Sequence, residues 1–533
     1  MLMLSFARMN TTKRWTIVAA VLGSGIVFLD STLVSVALPA ISAELPSRLF
    51  RVLEAQSFVY NGYLLTLSAL LILAGALADY YGRRRLFLIG LAGFGFTSLL
   101  CGLAPTMDLL IVFRVLQGAA GALLVPGSLA IIASAFSGEE QGRAFGIWAG
   151  ASGATTILGP FVGGVLVDSV SWRAAFLINV PLVIIAMYAT RTCVVESRDQ
   201  QSVGKFDWLG AAVIAVAVGG LSLGSIRGQE HGWSNPSAAW ALLAGIVATI
   251  AFPFLMKRSA HPLVPLELFR SRNFTIANLS TLVIYGALYT GFYYIVIFTQ
   301  GTLGYTAAAA GVAVIPGTLF LTFLSTRAGR LASRHGPRFF LVAGPALMGL
   351  GVLWFARLPA LSAPWTLEAT RPASLVPPFG YVTDLLPGLL VFGIGLVLMV
   401  APLTATVMTS VPNHNSGVAS AINNALSRVG PQLVGAVIFV AITAVFYGGI
   451  ADRAPDVKVS SESFRKVVAP LNPAGPGVDL SLLPAIRQSS TDSLHLAMKI
   501  CAGLLIAGAA INMGIRNPAS AMEKTDTTKS GMI

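Results

Sequence analysis

The sequence predicts an all-α membrane protein of fourteen spans: two pseudo-symmetric six-helix bundles with an inserted helix pair. Three observations predict it. Only 11% of the 533 residues are charged and 55% are hydrophobic, whereas a soluble domain carries about 25% charged residues. Long apolar runs recur from Trp15 to Ile515, each near the roughly 20 residues that cross a bilayer as a helix. Finally, Gly75-Ala-Leu-Ala-Asp79-Tyr-Tyr-Gly82-Arg83-Arg84-Arg85 returns as Gly329-Arg-Leu-Ala-Ser333-Arg-His-Gly336-Pro-Arg338, both glycines shifted by 254 residues.

Inside lipid the backbone must satisfy its own hydrogen bonds, so these runs are helices and not open sheets. In order they cover 15–39, 57–78, 86–104, 107–135, 144–166, 172–190, 207–225, 237–256, 275–299, 307–325, 339–356, 384–405, 416–447 and 494–515. The fourth and thirteenth are long enough to tilt or project. The repeat matches spans 1–6 with spans 9–14. Spans 7 and 8, short and nearly free of charge, are then an insertion expected at the lipid-facing edge. This gives a first bundle at 1–198, the inserted pair at 199–260, a second bundle at 261–515 with a long outer loop at 448–493, and a tail at 516–533. Within the polar outer loop, Ser461 to Ala469 reads as a short amphipathic piece.

The net charge of +13 sits in alternate loops. That is the positive-inside pattern, not a nucleic-acid surface. It places both termini in the cytoplasm of a cell with a plasma (inner) membrane. The first span is too long for a cleaved signal peptide. Cys101, Cys193 and Cys501 are scattered and suggest neither a disulfide frame nor a metal site. Five distant histidines show no metal spacing.

Four segments of the first half narrow the reading: Leu29-Asp30-Ser-Thr-Leu-Val-Ser-Val-Ala-Leu-Pro39, Arg114-Val-Leu-Gln117-Gly118-Ala-Ala-Gly121, Gly150 followed by Gly159-Pro160-Phe-Val-Gly163-Gly164, and Trp172-Arg-Ala-Ala-Phe-Leu-Ile-Asn179-Val-Pro181. With the basic hairpin, they resemble the major facilitator superfamily, in particular its fourteen-helix drug:proton antiporters. The second half resembles that family mainly in topology. The resemblance implies export of small lipophilic molecules in exchange for protons. It also implies a proton gradient as energy source with no cofactor, no enzymatic activity and a monomeric chain. A dedicated exporter of one native metabolite is the main alternative; a membrane enzyme and a proton-coupled importer rank lower.

Asp30 stands mid-helix in an apolar run, where a lone carboxylate costs several kcal/mol unless it is paired, hydrated or protonated. Burial favours the neutral acid and a neighbouring cation favours the carboxylate, so such a group can load and release a proton. Arg114 is the natural partner. Asp30 lies roughly 13 Å below Pro39 and Arg114 roughly 10 Å below Met107, at 1.5 Å per helical residue. Gln117, one turn further in, can join the same cavity. These three are the expected proton-coupling residues.

Asp79, Gly82, Arg83 and Arg84 form the expected inner gate. The resemblance implies that Asp79 approaches the start of span 13 at Asn413-His-Asn415-Ser416, where a helix N-terminus favours a carboxylate. The second copy has Ser333 instead, so the latch is expected on one side only. Gly146, Gly150, Gly153, Gly159, Gly163 and Gly164 let backbones approach closely, and Pro160 removes a backbone donor. The resemblance places this glycine-rich segment where the two bundles meet. Candidate substrate-pocket residues are Tyr60, Asn61 and Tyr63 on span 2, Tyr285, Tyr289 and Phe292 on span 9, and Arg428 on span 13. Arg428 has a structural or proton-network role as its alternative, and the aromatics have packing as theirs.

Two patterns fail on context. Gly204-Lys205 is followed by Phe206, which is not a phosphate-binding loop. Gly220-Leu-Ser222-Leu-Gly224 has the spacing of a hydrolase elbow but lies in a membrane helix with no preceding strand.

Overall fold

The computed structural model describes residues 10–46, 52–198, 206–231, 233, 235–367, 371–475 and 478–517. Residues 199–205, which open the inserted pair, the tail from 518, and the side chains at 160 and 164 lie outside the described residues.

The described residues form helices and no strands. Among the described residues thirteen helices are long and apolar enough to cross a membrane. Another long helix, Gly138–Ser169, stands where the fifth span is expected. Three spans are broken, each just before a proline. The fourth is Met107–Ala122 followed by Leu124–Ala135, the sixth Ala174–Leu177 followed by Asn179–Cys193, and the tenth Ala307–Ala313 followed by Ile315–His335. Pro126, Pro181 and Pro316 lie just beyond the three breaks. A proline cannot donate to the carbonyl four residues back, so the helix is interrupted about one turn before it.

The ends of the last two spans correct the sequence boundaries. Span 13 runs to Arg453 and span 14 begins at Leu483, so the outer loop is much shorter than 448–493. The hydroxyl-rich start of span 14 hides it from a hydropathy reading. Ser489, Ser490, Thr491 and Ser493 are buried against protein, not lipid. Ser493 donates to the carbonyls of Ser489 and Ile442, and Asp492 pairs with Arg453. The outer loop carries the short helix Glu462–Val467, capped by the Ser461 hydroxyl. It folds over a satellite core of Phe446, Tyr447, Ile450, Val468 and Ile486.

In the first half, span 1 packs on spans 4, 5 and 6, and span 3 packs on spans 4 and 6. In the second half, span 9 packs on spans 13 and 14, and span 12 packs on spans 10 and 11. The halves meet chiefly where span 2 contacts span 13 and where span 5 contacts span 10. The internal repeat maps span 2 onto span 10 and span 5 onto span 13, so these two seams are related by the pseudo-twofold. Span 7 packs on spans 2, 13 and 8, closing the flank of one seam. Span 8 lies outermost and exposes Trp240, Ile250 and Phe254. Gly220 and Gly224 serve this pair, facing the backbones of Gly245 and Leu242.

Candidate functional site

Asp30, Arg114 and Gln117 come together in the interior of the first half, each fully buried. Arg114 Nη1 donates to Asp30 Oδ2 at 2.5 Å and to Gln117 Oε1 at 2.7 Å. Gln117 Nε2 donates to Asp30 Oδ1 at 3.0 Å. Arg114 Nε donates to the Val59 carbonyl at 3.2 Å, and its guanidinium lies 4.0 Å from the centroid of the Tyr63 ring. Charge pairing, hydrogen bonds and a π-face thus compensate a guanidinium that burial would otherwise penalise heavily. Nη2 alone has no partner among the described residues.

A third donor to Asp30 was not foreseen. Asn179 Nδ2 donates to Asp30 Oδ1 and to Ser98 Oγ, both at 3.0 Å. Asn179 is the first residue after the break in span 6. The proline two positions on therefore sets where its side chain enters the bundle. The Trp172–Pro181 motif was a usable signal, although nothing in its spacing names Asp30 as the acceptor.

At the end of span 2, on the side expected to be cytoplasmic, Asp79 reaches the start of span 13. Its Oδ1 accepts from Gly417 N at 3.1 Å and its Oδ2 from Val418 N at 2.9 Å. Arg83 binds Asp79 Oδ1 through Nε and Nη2 at 2.9 and 2.8 Å. Its Nη2 also donates to the carbonyls of Asn413 and His414. One buried ion pair thus satisfies two of the orphan amides of one helix start and the carbonyls just before it. Arg84 instead donates to the Arg191 carbonyl at the end of span 6. Gly82 has φ of +111°, and a Cβ there would meet Glu196, whose carboxylate accepts from Arg84 N and Arg85 N. Glu196 also escaped the sequence reading.

The glycines of span 5 divide by position. A Cβ at Gly146 or Gly150 would strike span 10 within 3.0 Å, at Thr326 or Ser325. Gly159 and Gly163 face Thr32 and Leu33 of span 1. This corrects the expectation that the whole segment lies where the bundles meet, because its outer part packs within the first half. The second half mirrors it: Gly430 lies against the Leu282 carbonyl of span 9.

The aromatic candidates also divide. Arg428 lies 6.0 Å from the Phe28 ring centroid and within electrostatic reach of Tyr60, Tyr63 and Tyr289. Tyr60 is in turn within reach of Tyr289 and Tyr293. Tyr289 and Tyr293 are 53% and 61% exposed, although they approach the opposite half. These side chains therefore border an open space between the halves. Tyr285 adjoins it, 6.0 Å from Tyr289, and Asn61 is half-buried beside Tyr60. Phe292 stacks 4.7 Å from Phe392 of span 12 and packs in the core.

Paired helical bundles meeting at two pseudo-symmetric seams around a central space define the architecture of a secondary transporter. Residues 20–435 match the family described as Major Facilitator Superfamily, and the chain belongs to it. It is 32% identical over 454 residues to the multidrug resistance protein Stp of Mycobacterium tuberculosis (strain ATCC 25618 / H37Rv), covering 84% of this chain and 80% of that protein. It is 30% identical over 512 residues to the tetracenomycin C resistance and export protein of Streptomyces glaucescens, covering 94% and 91%. The solved proton:xylose symporter XylE shares the fold at a TM-score of 0.56 and 14% identity, covering 93% of this chain and 94% of that one.

Proposed function

We propose that the chain is a proton-coupled exporter of amphipathic small molecules, a drug:proton antiporter of the fourteen-helix branch. It works as a monomer in the plasma (inner) membrane with both termini in the cytoplasm. The proton gradient drives it, and no cofactor takes part. The observation that carries this reading is a membrane-depth carboxylate, Asp30, fully buried and bound by three donors. An intramembrane acid held this way marks a proton relay more often than a packing contact.

The geometry supplies the coupling. Gln117 and Asn179 both donate to Oδ1 and Arg114 to Oδ2, so a proton arriving at the remaining lone pair of Oδ2 cancels the negative charge that holds the guanidinium. Arg114 then loses its counter-charge and must find another acceptor, while Tyr63 ties its ring to span 1 through the Val27 carbonyl. Protonation therefore favours a different arrangement of spans 1, 2, 4 and 6. A ligand shifts a conformational equilibrium only by its differential affinity for the two states, and here the proton has one. The closed Asp79 latch fits a state loaded from outside. Asp30→Asn is expected to leave the protein folded and to abolish pH-driven dye efflux in proteoliposomes; undiminished coupled efflux would remove the basis of the proposal.

A second reading, dedicated export of one native metabolite, is favoured by the relative that is named for tetracenomycin C and spans nearly the whole chain. A panel of unrelated dyes separates the two, since a dedicated exporter moves few or none of them.

A further inference from the structure

We infer that the central space is an anion site, in which Arg428 selects flat aromatic phenolates or carboxylates over lipophilic cations. This rests on the exporter reading and names its substrate class. The first argument is charge. At membrane depth Asp30 is committed to Arg114, and Asp79 to Arg83 in the closed inner seam. Among the described residues no carboxylate contacts Arg428, whose neighbours are the Phe28 ring and three tyrosines. Among the described residues the space therefore holds one positive charge without a carboxylate beside it.

The second argument is donor chemistry. Arg428 presents a planar fork of N–H groups that fits a carboxylate or phenolate oxygen. Tyr60 and Tyr289 add hydroxyls that can donate to the same anion. The rings of Phe28 and these tyrosines supply flat apolar walls. Aromatic walls alone would also hold a cation. The guanidinium decides, because a full charge repels a cation more strongly than ring faces attract it. At about 5 Å and an effective dielectric of about 20, the repulsion amounts to about a hundredfold in affinity.

The test compares two dyes with the same xanthene ring and opposite charge, fluorescein and rhodamine 123. Binding to the full-length protein in lipid nanodiscs is read by fluorescence polarisation. Wild type is expected to bind fluorescein at least about tenfold more tightly than rhodamine 123. Arg428→Gln should erase that preference, and Arg428→Lys should keep part of it. The wild-type comparison needs no variant, so poor folding of either substitution leaves the test intact. Tighter or equal binding of rhodamine 123, no binding of either dye, or an unchanged preference in a folded Arg428→Gln protein overturns the anion site. If fluorescein binds through Arg428 but an imposed pH gradient moves neither dye, the exporter reading fails and the anion site stands. If rhodamine 123 is exported and binds more tightly than fluorescein, the anion site fails and the exporter reading stands.

Discussion

Between spans 2 and 13, Gly75 faces Gly417 so closely that a Cβ at Gly75 would lie 2.4 Å from the Gly417 carbonyl oxygen. Between spans 5 and 10, the repeat-equivalent Gly329 faces Gly142, and its Cβ would lie 2.5 Å from that carbonyl oxygen. The two seams share their glycine contact but not their fastening. In the first, Asp79 is buried and binds the backbone amides of span 13, with Arg83 beside it. In the second, Ser333 donates to its own Gly329 carbonyl. The fastening passes to Glu139 of span 5, which pairs with Arg334 and Arg330 of span 10. The acid has moved to the other partner of the seam, and the pair is exposed, with Glu139 at 43%. The expectation of a latch on one side only is thus refined: both seams are fastened, one by a buried charged cap and one by solvated ion pairs together with a buried hydrogen bond from Ser325 to the Gly146 carbonyl. A buried charged cap is sensitive to geometry, whereas exposed ion pairs are weak and screened by salt. Close backbone approach is the common feature, and the electrostatics make the seams unequal.

That inequality can be broken or sharpened by substitution. The largest effect is expected from Asp79→Ala, which leaves Arg83 buried without its counter-ion and two helix-start amides unsatisfied. The closed state should lose about 3–5 kcal/mol, the cost of breaking a buried pair. A cysteine placed on the cytoplasmic side of the central space should then label much faster, and export should fall more than about tenfold. An unchanged labelling rate would show that the cap does not hold the seam. Next come Gly75→Ala and Gly329→Ala. Each forces an added methyl into a backbone carbonyl, and each is expected to cost about 1–3 kcal/mol as overpacking. Similar losses of transport in the two variants would confirm that close approach is the shared element; a silent Gly329→Ala would confine it to one seam. Glu139→Gln should cost under about 1 kcal/mol. Its effect on export should vanish in high salt, while that of Asp79→Ala persists. The smallest effect concerns the outer end of span 1. There Glu44 accepts hydrogen bonds from Arg173 and the Trp172 indole, which hold its carboxyl below its ordinary value of 4.5. A depressed carboxylate contributes stability at higher pH and loses it only as pH falls through the folded value. Trp172 fluorescence should therefore stay constant between pH 8 and pH 5, unlike transport if Asp30 couples the proton.

Much of the site could be read from the chain because it follows from depth and repetition. Asp30 and Arg114 lie at comparable distances from the outer ends of antiparallel helices, and they do meet. Asp79 lies at the end of a span whose partner begins with capping residues, and it does cap them. Asn179, Glu196 and Glu139 were missed for one reason. Each acts on a residue of another helix, and its own local sequence looks like an ordinary polar position. Phe292 and Tyr289 show the converse. They share a helical stripe, yet one packs on Phe392 and the other borders open space.

Apolar length, basic loops and the 254-residue echo determined the order and approximate extent of the spans and the correspondence of the two halves. Each of these is a demand that lipid and the backbone place on consecutive residues, so it is written along the chain. Tertiary structure alone decided which donors converge on Asp30, which acid fastens each seam, that the hydroxyl-rich start of span 14 is helix, and that Arg428 has no acid beside it among the described residues. Those outcomes depend on which helices become neighbours, and a side chain's charge or hydroxyl gains its meaning only from the atoms brought against it from elsewhere.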